Sequence, residues 1–271
     1  MYYYEARYYA PPTFTSRDPH FERYFWTSPY GYCSNNPLNR VDPTGMDEWE
    51  IDGSGNVVNH TKTTEHDAFY MVDKDGNRIN GKSCEFEYGV VESFHSQYSD
   101  KNQSQFDWYN VRGDEQGKQL FEFFANNTNV EWGQLQLGQK GNHGLNVITT
   151  SHNKSRESCG SWLIGNKYQY GYTIRKHIHN HPGNTAYPSG LQKGNKDIGF
   201  AKRISKISSN ISLQIYLPQS GKYINYNALS QPEDFPAFPC PTYTLKGVTV
   251  KYEKVCTCYR CYIFLDRLFT A

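Results

Sequence analysis

No apolar run in this chain approaches the roughly 20 residues that a bilayer-spanning helix needs. The N-terminus, Met1-Tyr2-Tyr3-Tyr4-Glu5-Ala6-Arg7, lacks the basic region and apolar core of a secretory signal, so export is expected to use another route or a larger parent protein. Neither charge is in excess: 28 Lys and Arg stand against 27 Asp and Glu. A general nucleic-acid binder would show a basic surplus, and that class is disfavoured. Apolar residues are scarce at 37%, yet 23 Tyr and 15 Phe supply bulky packing material for one substantial domain and a smaller module. The seven cysteines are odd in number, and Cys33, Cys84, Cys159 and Cys240 are scattered, which argues against a disulfide-stapled architecture. Cys256, Cys258 and Cys261 form a tight Cys-x-Cys-x-x-Cys cluster without an obvious fourth ligand, so a second zinc site and an irregular tail both stay open. Histidine is absent beyond position 181, all nine lying at or before it.

That last absence sharpens what is present. Arg175-Lys176-His177-Ile178-His179-Asn180-His181-Pro182-Gly183 places three histidines at alternating positions before a Pro-Gly turn. In an extended chain, period-two geometry puts all three on one face. Gathered imidazoles suit a divalent metal, zinc above all, and Asp197 downstream offers a carboxylate oxygen. The competing reading is a polar strand end with no metal. Residues 197–207 have Ile198, Ala201, Ile204 and Ile207 at helical spacing, and their charged face offers Lys and Arg rather than another ligand. Asp197 is then either a helix N-cap or a ligand fixed at the start of a rigid element.

With these residues in view, the segment resembles the metal-binding core of the JAB/MPN (JAMM) metallopeptidases. Their pattern is His-x-His, seven residues, Ser, then Asp, with a glutamate on an earlier element. His179 and His181 match the pair, and seven residues separate His181 from Ser189, which follows Pro188. Val130-Glu131-Trp132-Gly133-Gln134-Leu135-Gln136-Leu137-Gly138 matches the glutamate segment and lies 48 residues before His179. The departure is at the aspartate. The family leaves two residues after the serine, whereas this chain leaves seven, Gly190 to Lys196. The resemblance implies an α+β fold with a JAB/MPN-like mixed β-sheet and packed helices. It implies zinc held by His179, His181 and Asp197 with water in the fourth position, Glu131 as general base to that water, and Ser189 as hydrogen-bond donor to the oxyanion. His177 falls one step early and is expected to lie behind the ligands or to touch substrate.

A second resemblance covers residues 1–46, about one-sixth of the chain. Glu5-Ala6-Arg7-Tyr8-Tyr9, Thr15-Ser16-Arg17-Asp18-Pro19, Tyr30-Gly31-Tyr32, Asn35-Asn36-Pro37 and Asp42-Pro43-Thr44-Gly45 are aromatic, strand-like pieces punctuated by turns. Their order resembles the core-associated ending of Rhs/YD-repeat proteins, a short β-rich segment that precedes variable C-terminal toxins. The expected divisions are therefore 1–46 as that segment, 47–115 as a polar linker or accessory region, 116–230 as the peptidase-like domain, and 231–271 as a Pro- and Cys-containing extension. Asp73-Lys74-Asp75-Gly76-Asn77 has calcium-loop flavour but lacks the spaced carboxylates, so a hairpin between Val72 and Ile79 is expected. Coarse patterning gives a helix over 118–126, strands over 129–137, 144–150 and 168–179, and a hairpin joining 211–217 to 222–226.

The combined expectation is a zinc-dependent peptidase or isopeptidase forming the toxin end of an Rhs-type polymorphic protein. Delivery into a recipient cell implies a target protein there, a cognate immunity protein and a parent Rhs shell. Two other readings stay open. One is a metal-dependent nuclease of the His-Asn-His type, prompted by His179-Asn180-His181 but weakened by the missing downstream histidine and the neutral charge. The other is an inactive binding module, prompted by the displaced Asp197.

Overall fold

The computed structural model describes Met46 to Pro239 except residues 64–65, 88, 169–172 and 207–209. Outside that span it describes the backbone of six strands: β1 (Tyr2–Tyr4), β2 (Arg7–Ala10) and β3 (Thr13–Phe14), and β15 (Thr242–Leu245), β16 (Val248–Val255) and β17 (Cys258–Ile263). Each trio forms an antiparallel three-stranded sheet. The aromatic and turn motifs over 15–45, on which most of the Rhs-like reading rests, lie outside the described residues, as does Cys256.

Alternation of large apolar side chains along the strands builds a sheet buried on both faces. Its seven strands are β8 (Val91–Ser99), β9 (Ser104–Arg112), β10 (Trp132–Leu137), β11 (Leu145–Thr150), β12 (Ile174–Asn180), β13 (Ser212–Leu217) and β14 (Lys222–Tyr226), in the order β14-β13-β12-β10-β11-β9-β8. Phe106, Trp108, Leu135, Leu137, Val147, Leu213 and Ile215 enter one core, against α2 (Cys159–Tyr168) and α3 (Lys196–Ile204). Tyr109, Val111, Trp132, Ile148, Ile178 and Tyr216 enter the other, against α1 (Asp114–Asn127). Odd and even residues of a strand thus serve different layers, as the two-residue repeat demands.

The second core is closed by another sheet, β4 (Met46–Ile51), β5 (Val57–Thr63), β6 (Asp67–Val72) and β7 (Arg78–Phe86), in the order β5-β4-β6-β7. Trp49 stacks on Phe69 at 4.6 Å between ring centroids, and Phe124 of α1 stacks on Trp132 at 4.1 Å. Phe69 meets Phe124 edge-on at 5.2 Å, so the small sheet, α1 and the large sheet share one aromatic cluster. Asp73–Asn77 is the β6–β7 hairpin turn, its Gly76 at φ 83°. This is the hairpin expected there. Two strands N-terminal to residue 116, β8 and β9, belong to the large sheet, Asp107–Arg112 of β9 pairing with the whole of β11.

All pairings in the large sheet are antiparallel except β12 with β13. A parallel pair requires a crossover, and this one carries α3. His179 is the last residue but one of β12, His181 lies just beyond its end and Asp197 is in the first turn of α3, so the candidate ligands occupy the two ends of the segment that opens the crossover.

Local differences from the sequence reading have identifiable causes. The first helix begins at Asp114 rather than 118, because Asp114 and Glu115 suit the positive end of a helix entered from Gly113 at φ 88°. Residues 159–168 are helical, and the strand expected from 168 begins at Ile174. Gly160 and Gly165 dilute the helical signal of α2, since each costs about 1 kcal/mol relative to alanine in a helix. The strand expected over 129–137 starts at Trp132, so Glu131 lies one residue before it rather than within it. Ile198, Ala201 and Ile204 are buried as their spacing requires, but Asn195, not Asp197, occupies the N-cap. The hairpin of β13 and β14 forms as expected.

Candidate metal centre

β12 runs beside β10 with Gly133 opposite His179 and Leu135 opposite His177. His177 and His179 therefore point to the side where Leu135 and Leu137 are buried, the α2/α3 side. The ladder continues one residue past the strand, since the His181 N–H donates to the Tyr216 carbonyl at 3.0 Å. Asn180 faces the other way. Fully buried, its side-chain oxygen accepts the Trp132 N–H at 2.6 Å and ties β12 to the start of β10.

Beyond Pro182 and Gly183 the chain turns back, and the Asn184 N–H donates to the His181 carbonyl at 2.8 Å. His181 Nδ1 then lies 2.8 Å from the Thr185 carbonyl. Nδ1 must donate there, so Nε2 is left with a bare lone pair, the tautomer a metal ligand needs. That Nε2 is 3.2 Å from His179 Nε2. Asp197 closes the triangle, its two oxygens 3.6 Å from His179 Nε2 and 3.6 Å from His181 Nε2. One ligand atom from each of the three residues falls within 4.8 Å of the others. Two imidazole nitrogens and a carboxylate aimed at one point make a donor set that fits zinc.

The seven residues between Ser189 and Asp197 fold into a knot of their own. The N–H groups of Lys193 and Gly194 both donate to the Gly190 carbonyl, at 3.1 and 2.7 Å. Gly190 and Gly194 have φ of 82° and 64°, and a Cβ at Gly190 would lie 1.9 Å from the Asn195 carbonyl oxygen, which only glycine avoids. The excursion returns Asp197 to Ser189. The Ser189 N–H donates to the Asp197 carboxylate at 2.6 Å, and the Asp197 N–H donates to the Ser189 hydroxyl at 3.3 Å.

Glu131 is 8% exposed and held by its backbone: its N–H donates to the Asn153 carbonyl at 2.8 Å and its carbonyl accepts the Thr150 hydroxyl at 3.0 Å. Burial pushes the Glu131 carboxyl up, opposed by the nearby His179 and His181 and by the Glu157 backbone N–H that donates to it. Burial also works against charge on His179, but the Asp197 carboxylate outweighs it and lifts the imidazole to about 8. Asp197 is held far below the usual carboxylate range, because the two histidines override the cost of its burial. His177, 5% exposed, is driven by burial down to about 3 and is neutral. Among the described residues neither of its ring nitrogens has a hydrogen-bond partner, and Glu157 Oε2 stands 4.0 Å from Nε2.

Sequence reasoning missed two groups here. Glu157, at the mouth of α2, has a side chain only 2% exposed and receives the Gly160 N–H at 2.9 and 3.0 Å. Burial raises its carboxyl to about 7. It fits only because its neighbours are glycines: a Cβ on Gly160 would meet its Oε2 at 2.6 Å, and one on Gly133 would meet its carboxyl carbon at 3.1 Å. The signal was an acidic residue just ahead of a helix, hidden because the helix itself was not legible. Tyr226, at the end of β14, sets its ring edge-on to His179 at 6.1 Å, and its buried hydroxyl has no partner among the described residues. A cleft of about 1020 Å³ opens over the cluster, lined by Glu131, the three histidines, Ser189, Asp197 and Tyr226 among others.

Residues 109–202 match the family model described as JAB-like toxin 1, a span that contains Glu131, all three histidines, Ser189 and Asp197. Over this part the chain is similar to a JAB-like toxin domain, with a mixed β-sheet and packed helices. No curated protein and no solved structure matches the chain. The family match and the His/His/Asp cluster together are consistent with a metal-dependent hydrolase. Among the described residues no helix is long and apolar enough to cross a membrane.

Proposed function

We propose that this protein is a zinc-dependent peptidase or isopeptidase, with His179, His181 and Asp197 holding the ion. The observation that carries the reading is the convergence of both Nε2 atoms and the Asp197 carboxylate, with the buried Glu131 carboxyl on the same face of the sheet. A bound zinc would act as a Lewis acid toward a carbonyl oxygen. Glu131, whose burial raises its proton affinity, takes the proton of the attacking water and returns it to the leaving amine. The Ser189 hydroxyl accepts from Asp197, which leaves its own proton free to donate to the oxyanion. His177, 5.9 Å from His179 between ring centroids, is neutral and so adds no second positive charge beside it. Against the nuclease reading stands Asn180, whose side chain is spent on the Trp132 N–H on the opposite face of the sheet.

The similarity to JAB-like toxins supports placing this activity at the toxic end of a larger polymorphic protein. In that setting residues 1–46 are the Rhs-like ending, the β4–β7 sheet is an accessory region, the hydrolase takes in β8 and β9 as well as residues 116–230, and 231–271 are an extension. A recipient-cell target and an immunity protein are the implied partners, and delivery uses a specialised export route. The test is turnover of mixed peptides and of nucleic acid by the full chain, with zinc and after chelation, beside Glu131→Gln. Zinc-dependent peptide hydrolysis, reduced about 10²–10⁴-fold in Glu131→Gln with zinc content and fold kept, is the expected result. Nucleic-acid turnover supports the nuclease instead, and zinc binding without any turnover supports the inactive module.

A further inference from the structure

The charges around the cleft are sorted by depth. Its three carboxylates, Glu131, Glu157 and Asp197, are the ones at the histidine cluster, where their side chains are mostly buried. Every other charged side chain lining it is a cation, and all four are exposed: Lys154 and Arg156 from the loop before α2, and Lys196 and Arg203 from α3. None of the four makes an ion pair among the described residues; Arg203 only overlies the Phe200 ring at 6.0 Å. This is not a by-product of composition, since the chain as a whole carries 28 basic and 27 acidic residues. Unpaired like charges around a cleft raise the local concentration of the opposite charge.

The two elements that carry these cations are fixed to the reacting centre. The loop is fastened by the Ser158 N–H to Ser151 hydroxyl bond at 3.1 Å and by the Asn153 carbonyl that accepts the Glu131 N–H. α3 is fastened by the Ser189–Asp197 pair, and its Phe200 packs on His177 at 5.0 Å between ring centroids. Each basic pair is therefore held at a set place relative to the histidines.

We propose that the cleft takes an acidic peptide, with Asp or Glu side chains flanking the bond to be cut and pairing with Lys154, Arg156, Lys196 and Arg203. The proposal rests on the peptidase reading for what happens to that bond. A peptide suits the layering better than a nucleic acid does: its reacting amide is neutral and carries no charge into the histidine cluster, while its carboxylates remain at the basic rim.

The experiment measures fluorescence anisotropy with the full chain carrying Glu131→Gln, so that binding is read without cleavage. Labelled Glu-rich, uncharged and Lys-rich peptides of one length, and a single-stranded oligonucleotide, are compared at low and high salt. The Glu-rich peptide should bind about tenfold or more tighter than the uncharged one, and the advantage should shrink as salt screens it. Lys154→Glu with Arg156→Glu, or Lys196→Glu with Arg203→Glu, should abolish the preference and improve binding of the Lys-rich peptide. The salt series on the unreversed protein gives the answer independently of whether these variants fold. Equal binding of the three peptides, or tighter binding of the oligonucleotide, overturns the proposal. Peptide hydrolysis by the wild-type chain without charge preference leaves the peptidase reading and removes this one; acidic-peptide binding without hydrolysis does the reverse.

Discussion

Ser189 and Asp197 grip each other reciprocally: the Ser189 N–H donates to the Asp197 carboxylate, and the Asp197 N–H donates to the Ser189 hydroxyl. The exchange spans the seven-residue excursion and sets the direction of the carboxylate, one oxygen toward each histidine. It gives Ser189 a duty separate from any contact with substrate. Ser189→Ala keeps the donor N–H but removes the hydroxyl that receives the Asp197 N–H. Loss of a group that orients a ligand costs about 10–100-fold in metal affinity, so chelator competition should show zinc held at least tenfold more weakly, about 1.4 kcal/mol. A variant with unchanged zinc affinity and reduced turnover would assign Ser189 to the oxyanion alone.

The closeness of the cluster was legible because it depends on local rules. Residues two apart on a strand share a face, which brings His179 and His181 together, and the Ile198, Ala201, Ile204 spacing announces a helix beginning near Asp197. Glu131 was legible through its neighbours, since Leu135 and Leu137 of the same parity are buried on the α2/α3 side. What escaped notice depends on contacts between distant segments. The β4–β7 sheet includes a parallel pair, β4 with β6, and β7 is exposed along most of its length, so residues 46–86 read as polar while Trp49, Phe69 and Met71 carried the core. Glu157 and α2 escaped for a related reason: of the two glycines that obscured the helix, Gly160 leaves room for the carboxylate it touches, and Gly165 touches nothing.

Those glycines make a prediction in which two effects oppose. Gly160→Ala gains about 1 kcal/mol of helix propensity. Its Cβ would lie 2.6 Å from Glu157 Oε2 and 3.1 Å from His177 Nε2, and overpacking of this kind costs about 1–3 kcal/mol. The Glu157 side chain is the part able to move, so the two should nearly cancel in stability while Glu157 leaves its place. Unfolding free energies from urea denaturation within about 1 kcal/mol of wild type, with turnover clearly lowered, are expected. Gly165→Ala, where a Cβ meets nothing within 4 Å, should stabilise the chain and leave turnover unchanged.

Metal binding should be coupled to protons through His179. In the metal-free protein its pKa is about 8, because the Asp197 carboxylate outweighs burial, so at neutral pH it carries a proton that a metal must displace. Zinc affinity should rise with pH until about 8 and then level off, and calorimetry in buffers of different ionisation enthalpy should detect proton release at pH 7. Proton release that is absent at pH 7 would mean the ion is not bound through His179.

Away from the cluster, His152 and Asp107 supply a pH-dependent clasp on the loop that holds Glu131. His152 Nε2 is 3.0 Å from Asp107 Oδ2, with both side chains mostly buried, and the loop backbone at His152 is left-handed at φ 52°. Burial lowers the imidazole's proton affinity, but the hydrogen bond and charge of Asp107 prevail and raise its pKa above the ordinary 6.5. A raised folded-state pKa means that protons favour the folded chain. Below pH 6.5 the unfolded chain is protonated as well, and the full contribution of the charged pair is present. As pH climbs from 6.5 through the folded-state value, the histidine loses its charge and the contribution disappears. Urea denaturation of wild type and His152→Gln should therefore differ most below pH 6.5, and the gap should shrink as pH rises through the folded-state value. A gap that widens on the alkaline side would show that the pair is held by something other than the charge on His152.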